Sequence, residues 1–361
     1  MDLISRDVAV VDISGNDPSK YKVIVRILST ALPIPNSLAE IIRRGHQLFN
    51  TAIGPEGTVD TSKAPAGRMS DTGWGSCYGC HPNGLTDSVT WMFNADGPRS
   101  TISMESTFEH PQPAMAQLNT FGAPILPFFH QRLLNYSAPR DEVQDFELNT
   151  RNVSGGQGLI RDGQAVVNLN PTANTGRDAD ADSIAAYIAF GIRALSSPLR
   201  GQDVAKGREL FAAANCQLCH GGPSWTSSLV DFSPPPVAEP ITTGQLTNYL
   251  CDVGTFDPNA FNEIIAGIAN AGQANLNGAN GVLGFNIPSL VSVFASAPYL
   301  HSGQCATLDC VLENVKHRSA GTAGVDTLTS SGDRKKLVRF LKSIDLTTPP
   351  FPFTTRPCQK P

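Results

Sequence analysis

The chain has 361 residues, enough for two ordinary domains. Only 16% of them are charged and the formal net charge is −5, which argues against a nucleic-acid surface or a strongly charged partner. No apolar run approaches the ~20 residues of a membrane span, so no membrane-spanning segment is expected.

Taken in chain order, residues 1–36 read as a β-rich N-terminal segment. Asp7–Ile13 and Tyr21–Ile27 are β-prone runs separated by the turn signal Gly15-Asn16-Asp17-Pro18. They suggest a hairpin, or the tail of a β-repeat array whose earlier blades are missing. Pro33-Ile34-Pro35-Asn36-Ser37 marks a linker. From Ser37, an N-cap residue, Leu38, Ile41, Ile42, His46 and Phe49 keep helical spacing. Arg44-Gly45-His46-Gln47-Leu48-Phe49 has a twin in Lys206-Gly207-Arg208-Glu209-Leu210-Phe211, an imperfect internal repeat. Residues 82–175 look mostly irregular, with a helix expected around Arg140–Leu148. The abundance of glycine (32) and proline (27) fits such loops. Amphipathic helices are expected at Asp182–Leu195 and at Asp333–Ile344, where Leu337, Phe340, Leu341 and Ile344 form an apolar stripe.

Each copy of the repeat precedes a C-x-x-C-H run: Cys77-Tyr78-Gly79-Cys80-His81 and Cys216-Gln217-Leu218-Cys219-His220. This is the attachment signature of c-type haem. The two thiols add to the haem vinyl groups, and the adjacent imidazole ligates the iron. A zinc or thioredoxin-type CxxC would not require histidine directly after the second cysteine both times. The reading is therefore two covalently bound haem c groups, with His81 and His220 as proximal ligands. The expected fold is mainly α: two cytochrome c-like haem domains, 37–199 and 200–361, with long irregular loops and the short β segment in front. In each, a closing helix packs on the opening one.

Four of the eight cysteines are committed to haem. Cys251, Cys305, Cys310 and Cys358 form an even set, which fits one or two disulfides in an oxidising compartment. Cys305 and Cys310 are close enough in sequence to pair, leaving Cys251 with Cys358; four buried free thiols are the alternative. Haem attachment of this type takes place outside the cytoplasm, so a periplasmic or secreted protein is expected. No basic segment followed by an apolar one opens the chain, so the numbering is read as that of a mature or truncated product.

After the second CxxCH come Phe285-Asn286-Ile287-Pro288-Ser289-Leu290, Ala297-Pro298-Tyr299-Leu300-His301-Ser302-Gly303 and Ala306-Thr307-Leu308. With Gly97-Pro98-Arg99 after the first haem and the closing Asp333–Leu341 run, these resemble the bacterial dihaem cytochrome c peroxidase and MauG superfamily. The likeness spans residues ~38–345. Within it, Cys77–Pro82 with Asp87 and Trp91, and Asp145-Phe146-Glu147 before Gly155-Gly156, look most like a branch often fused to an N-terminal β-propeller. Some features are similar to rubber oxygenases. The Trp-Asp-Gly-Arg element of the peroxidases is missing; Phe128-Phe129-His130-Gln131-Arg132 is its nearest match, a departure that weighs against ordinary peroxidase activity.

No methionine follows Cys219, so the second half holds no partner for a His/Met haem. The later histidines are His301 and His317. The resemblance places His301 near the haem and not on its iron. His317 lies close to the family's distal-ligand position, whose strict register lands on Val315. A bis-histidine second haem, His220 with His317, is the reading; a solvated His317, or ligation by Tyr299 or Tyr249, are the alternatives. Such an iron is closed and suits electron relay, which assigns chemistry to the first haem. A peroxide site there needs an acid/base group. Glu147, Gln144 and His130 are candidates, with Phe146 implying an apolar pocket. Met92 sits near the family's displaceable ligand, and Trp91 and Trp225 are candidate electron stepping stones or core residues. The resemblance also implies Ca²⁺ between the domains, held by main-chain oxygens of Ser296 and Pro298 with a side chain near Ser100.

Three functions follow. The first is an oxidoreductase using H₂O₂ or O₂, fed by a small redox protein or other donor, its substrate peroxide itself or a protein side chain. The second is a plain electron carrier. The third is an oxygenase of an apolar substrate in a pocket lined by Phe128, Phe129 and Phe146.

Overall fold

The computed structural model describes residues 7–15, 17–28, 31–54, 67–92, 98–109, 117–118, 124–125, 129–166, 173–232, 249–256 and 284–352. For residues 7, 117–118, 124–125, 129–130 and 229–232 only the backbone is described. The architecture is mainly α with short antiparallel strand pairs, as the sequence predicts. Strands β1 (Asp7–Asp12) and β2 (Lys22–Leu28) form the expected N-terminal hairpin. Every residue of β2 is exposed, including Val23, Ile24, Val25 and Ile27.

The first half is framed by α1 (Leu38–Asn50) and ends with α4 (Ala179–Phe190). Ser37 caps α1 by accepting from Glu40 N, and Asp178 caps α4 by accepting from Asp180 N and Ala181 N. Between them lie the short α2 (Cys77–Cys80) and α3 (Glu147–Asn152). Helix α1 crosses α4 at Gly45, where a Cβ would stand 1.8 Å from Ser183 O. Only glycine permits that approach. Behind it, Leu48 and Phe49 are fully buried, Phe49 lying edge-on to Tyr187 at 5.1 Å.

The second half repeats the device. Helix α5 (Gln202–Ala213) crosses α9 (Ser331–Leu341) at Gly207, where a Cβ would meet Lys336 O at 2.2 Å. Phe211 is buried against Phe340 and Trp225, with ring centroids 5.4 and 5.9 Å away. The twin Gly-x-x-Leu-Phe segments thus encode a helix crossing: glycine at the contact and phenylalanine beneath it. Between α5 and α9 lie α6 (Gln217–His220), α7 (Leu308–Glu313) and α8 (Val315–Arg318).

Two expectations are revised. The helix predicted at Arg140–Leu148 is a 3₁₀ turn over Val143–Phe146 continued by α3, because buried carboxylates and the Arg140 side chain occupy the start of the segment. The closing helix of the first half starts earlier, at its Asp178 cap, and ends at Phe190 before Gly191.

The halves are laced together. Strands β3 (Thr90–Trp91) and β4 (Arg99–Ser100) pair within the first half, as do β5 (Gln117–Leu118) and β6 (Pro124–Ile125). Strand β7 (Phe129–Arg132) pairs across the halves with β8 (Leu229–Phe232). Strands β9 (Leu250–Cys251) and β10 (Phe285–Asn286) complete the set. Asn286 Nδ2 donates to Leu133 O and Asn135 O at 2.7 and 2.8 Å, and Ser106 Oγ donates to Ser289 Oγ at 2.6 Å. Cys305 and Cys310 are disulfide-bonded; Cys251 is also in a disulfide, and Cys358 lies outside the described residues. No helix among the described residues is long and apolar enough to cross a membrane.

Candidate haem sites

Each CxxCH lies on or beside one short helical turn, which brings the two thiols and the imidazole to one side of the backbone. Cys77, Cys80, Cys216 and Cys219 are free thiols. Burial pushes Cys77 and Cys216 up to about 12, and Cys80 and Cys219 up to about 11. Redox-active CxxC pairs show the opposite, a thiolate stabilised by its surroundings. Among the described residues no three His, Cys, Asp or Glu side chains converge for a metal ion. Protonated thiols, unpaired and next to an imidazole, fit addition to vinyl groups.

In the first site, His81 Nδ1 meets Leu85 O at 3.1 Å. That contact orients the ring and leaves the other nitrogen for iron. Burial lowers the basicity of His81, as does the charge of nearby Arg132, favouring the neutral, ligating form. Trp91 Nε1 donates to Asp87 Oδ2 at 2.9 Å, tying the segment after the motif. Met92, near the expected displaceable ligand, is 47% exposed.

The second site opens into a cavity of about 1480 Å³, partly continuous with solvent. Cys216, Cys219, His220 and His317 line it, as do Tyr299 and His301. With metal–nitrogen bonds of about 2.0–2.1 Å and ring nitrogens ~1.1 Å from the ring centre, two imidazoles on one iron have centroids ~6.3 Å apart. The His220 and His317 rings are 6.4 Å apart and near-perpendicular, at 87°. Both Nδ1 atoms are buried and make no normal hydrogen bond. Burial and the neighbouring His317 push His220 down to about 3, and burial lowers His317. Two neutral imidazoles at this spacing fit a single metal between them. His301 is buried and stacks on Phe285 at 3.6 Å, beside the cavity.

The remaining candidates spread out. Glu147 is buried, and its carboxylate accepts from Leu159 N, Ile160 N and Arg151 Nε at 2.8–3.1 Å. Gln144 is buried with Nε2 donating to Asp182 Oδ1 at 2.8 Å; its Oε1 has no partner. Phe146 packs on the same apolar cluster as Cys77, under the Arg140 guanidinium at 5.1 Å. His130 is paired in β7 with Asp231 through its backbone, and its side chain, like Phe128, lies outside the described residues. Trp225 is in the second core, edge-on to Phe211. Where calcium is expected, Ser100 Oγ donates to Leu300 O at 2.7 Å and Ser100 N to His301 O at 2.7 Å, joining the halves directly. Ser296 lines the cavity, and Pro298 follows a cis peptide bond.

Sequence reasoning missed what the first half contributes to the second cavity: Thr101, Ile102, Ser103, Ser106, Arg132 and Tyr136. An arginine at the end of a β-run gives no local sign of facing a site 84 residues away.

Fold and sites together define a class: a two-module cytochrome c-like protein with a haem-attachment motif in each helix-pair frame. Among solved structures, the chain is similar to the hydrazine synthase of Kuenenia stuttgartiensis (16% identity over 90% of this chain and 99% of that one, TM-score 0.48). It is similar to a MauG-like protein associated with microbial copper homeostasis (18%, 87% and 91%, TM-score 0.48). A variant of the dihaem peroxidase BthA from Burkholderia thailandensis is similar at 14% identity over 88% of each chain, TM-score 0.42. No protein-family model matches the chain, and no curated protein matches it. Likeness at this level carries no argument about chemistry, which rests on the residues of the two sites.

Proposed function

We propose that the chain is an extracytoplasmic dihaem oxidoreductase using H₂O₂ or O₂, with the first haem as reaction site and the second as electron relay. The observation that carries this reading is the pairing of His220 with His317 at bis-imidazole spacing, which would close the second iron and leave the chemistry to the first. Covalently bound haem would supply one-electron iron chemistry at both sites, and a place for peroxide or O₂ wherever the sixth position is open.

The chain's own residues divide the work. Leu85 O holds the His81 ring in one orientation. His317 would close the second iron, lowering its potential relative to a His/Met pair. Phe146, on the apolar cluster that also carries Cys77, would help to exclude water from the first site. Gln144 Oε1, buried and unpartnered, is the acceptor that could position a proton or a water there. Electrons would come from a small redox protein or other donor, and a protein substrate oxidised at the surface by long-range transfer is compatible with this layout. The disulfides at Cys305–Cys310 and Cys251 support an oxidising compartment.

One observation favours a second reading, a plain electron carrier. Glu147 is saturated by two backbone amides and Arg151, so it is not poised as an acid/base. Adding H₂O₂ to the diferric protein and CO to the diferrous protein separates the two. Enzymatic function predicts that one haem per chain responds to each. If neither reagent perturbs a Soret band, both irons are closed and the carrier reading holds.

A further inference from the structure

We propose that Arg132 is the cation that anchors the propionate edge of the second haem and thereby sets that haem's potential. The inference rests on the dihaem reading and adds a residue from the opposite half of the chain. Arg132 ends β7 and is only 5% exposed. Its guanidinium makes one hydrogen bond, from Nη2 to Ser103 O at 2.9 Å, and pairs with no carboxylate among the described residues. Buried charges are ordinarily paired, because a desolvated ion without a counter-charge is costly. The counter-charge must therefore come from what fills the space beside it.

That space is the second cavity, which Arg132 lines. A second arginine there, Arg318, makes the contrast. Its guanidinium is committed to both oxygens of Asp326, at 3.0 and 2.5 Å, and to the Leu312 and Glu313 carbonyls. Arg132 keeps most of its five donors for an anion. The wall around it is polar as well, with Thr101, Ser103 and Tyr136 from the same half. A haem bonded through its vinyl groups to Cys216 and Cys219 carries its two carboxylates on the edge away from those bonds. Arg132, brought in from the other half by the β7–β8 ladder, is suited to receive one of them in a bidentate pair. The attachment motif would then hold one edge of the macrocycle and Arg132 the other.

The test uses the holoprotein. Haem content by pyridine haemochrome and mass is read first, then the one-electron potential of the low-spin haem by spectroelectrochemistry. Arg132→Gln is expected to keep two covalent haems while shifting the second haem's equilibrium about tenfold toward ferric, ~59 mV for one electron. Arg132→His is the second variant, should the first not accumulate. Its potential is expected to fall as pH rises through the histidine's titration, while the wild type stays flat over that range. A potential unmoved in Arg132→Gln, or as flat with pH in Arg132→His as in the wild type, overturns the proposal. So does a wild-type potential that depends on added inorganic phosphate, since the site would then hold a free anion. Fewer than two covalent haems in the wild type overturns the dihaem reading itself and this inference with it.

Discussion

Gly45 of α1 lies against Ser183 of α4, and Gly207 of α5 lies against Lys336 of α9. In both halves a phenylalanine one turn later is sealed beneath the crossing, and a CxxCH follows. The frames match; their surroundings do not. The first copy carries 27 residues between Phe49 and Cys77, and its His81 ring is held by the Leu85 carbonyl. In the second copy only four residues separate Phe211 from Cys216, and His317 faces His220 across a cavity walled partly by the other half. The lesson is that a helix crossing sets where a haem can be attached, while the segment between attachment and closing helix sets what its iron can do.

The strongest way to break the contrast is to remove His317. In His317→Gly the second iron should open, so that the diferrous protein gains one CO-binding haem per chain and loses low-spin character. His317→Met should instead keep a closed iron and raise its potential. If neither variant changes the spectrum or the CO stoichiometry, His317 is not a ligand and the halves are less different than they look.

A smaller effect probes the shared frame. Alanine is a better helix former than glycine by about 1 kcal/mol, yet Gly45→Ala and Gly207→Ala each drive a Cβ into backbone. Overpacking of this kind costs roughly 1–3 kcal/mol, so both variants should melt earlier. Gly45→Ala should lose more, because its contact would be 1.8 Å against 2.2 Å. Thermal denaturation of the two variants decides it; stabilisation of either would mean that the crossing is looser than described.

A last test, read as a slope with pH, concerns the carboxyls buried together in the first half. Asp145 lies beside Glu142 and Asp141, and burial with these neighbours raises it far above the usual carboxylate range, against Asn174 and Arg140. Asp182 is pushed up to about 6, chiefly by burial. A carboxyl raised in the folded state keeps a proton that the unfolded chain releases, so stability falls as pH rises above the unfolded value near 4. The slope is at most about 1.4 kcal/mol per pH unit for each group. Asp145→Asn should therefore flatten the loss of stability between pH 5 and 8, measured by denaturant titration. An unchanged slope would show that Asp145 holds no proton in that range.

Much of the frame was legible in the residues. The repeat, the two attachment motifs, the cap at Ser37, the closing helix near Asp333 and the pairing of Cys305 with Cys310 are local patterns or short-range closures. The helix expected at Arg140–Leu148 was misread, because apolar spacing does not register that Glu142, Asp145 and Asp182 will be buried together and bonded to the 174–176 backbone and to side chains. The engagement of Glu147 was hidden for the same reason, since its partners are amides 12 and 13 residues away.

By itself, the sequence determined that two thiol pairs with adjoining imidazoles sit behind two like helices, because covalent attachment and helix crossing need only nearby residues in a strict spacing. It left open whether His317, a solvent position or a tyrosine would answer His220, and what Arg132 does. Those answers depend on contacts such as the β7–β8 ladder, between segments about a hundred residues apart. No local spacing rule reaches that far; only the packing of the two halves brings the groups together.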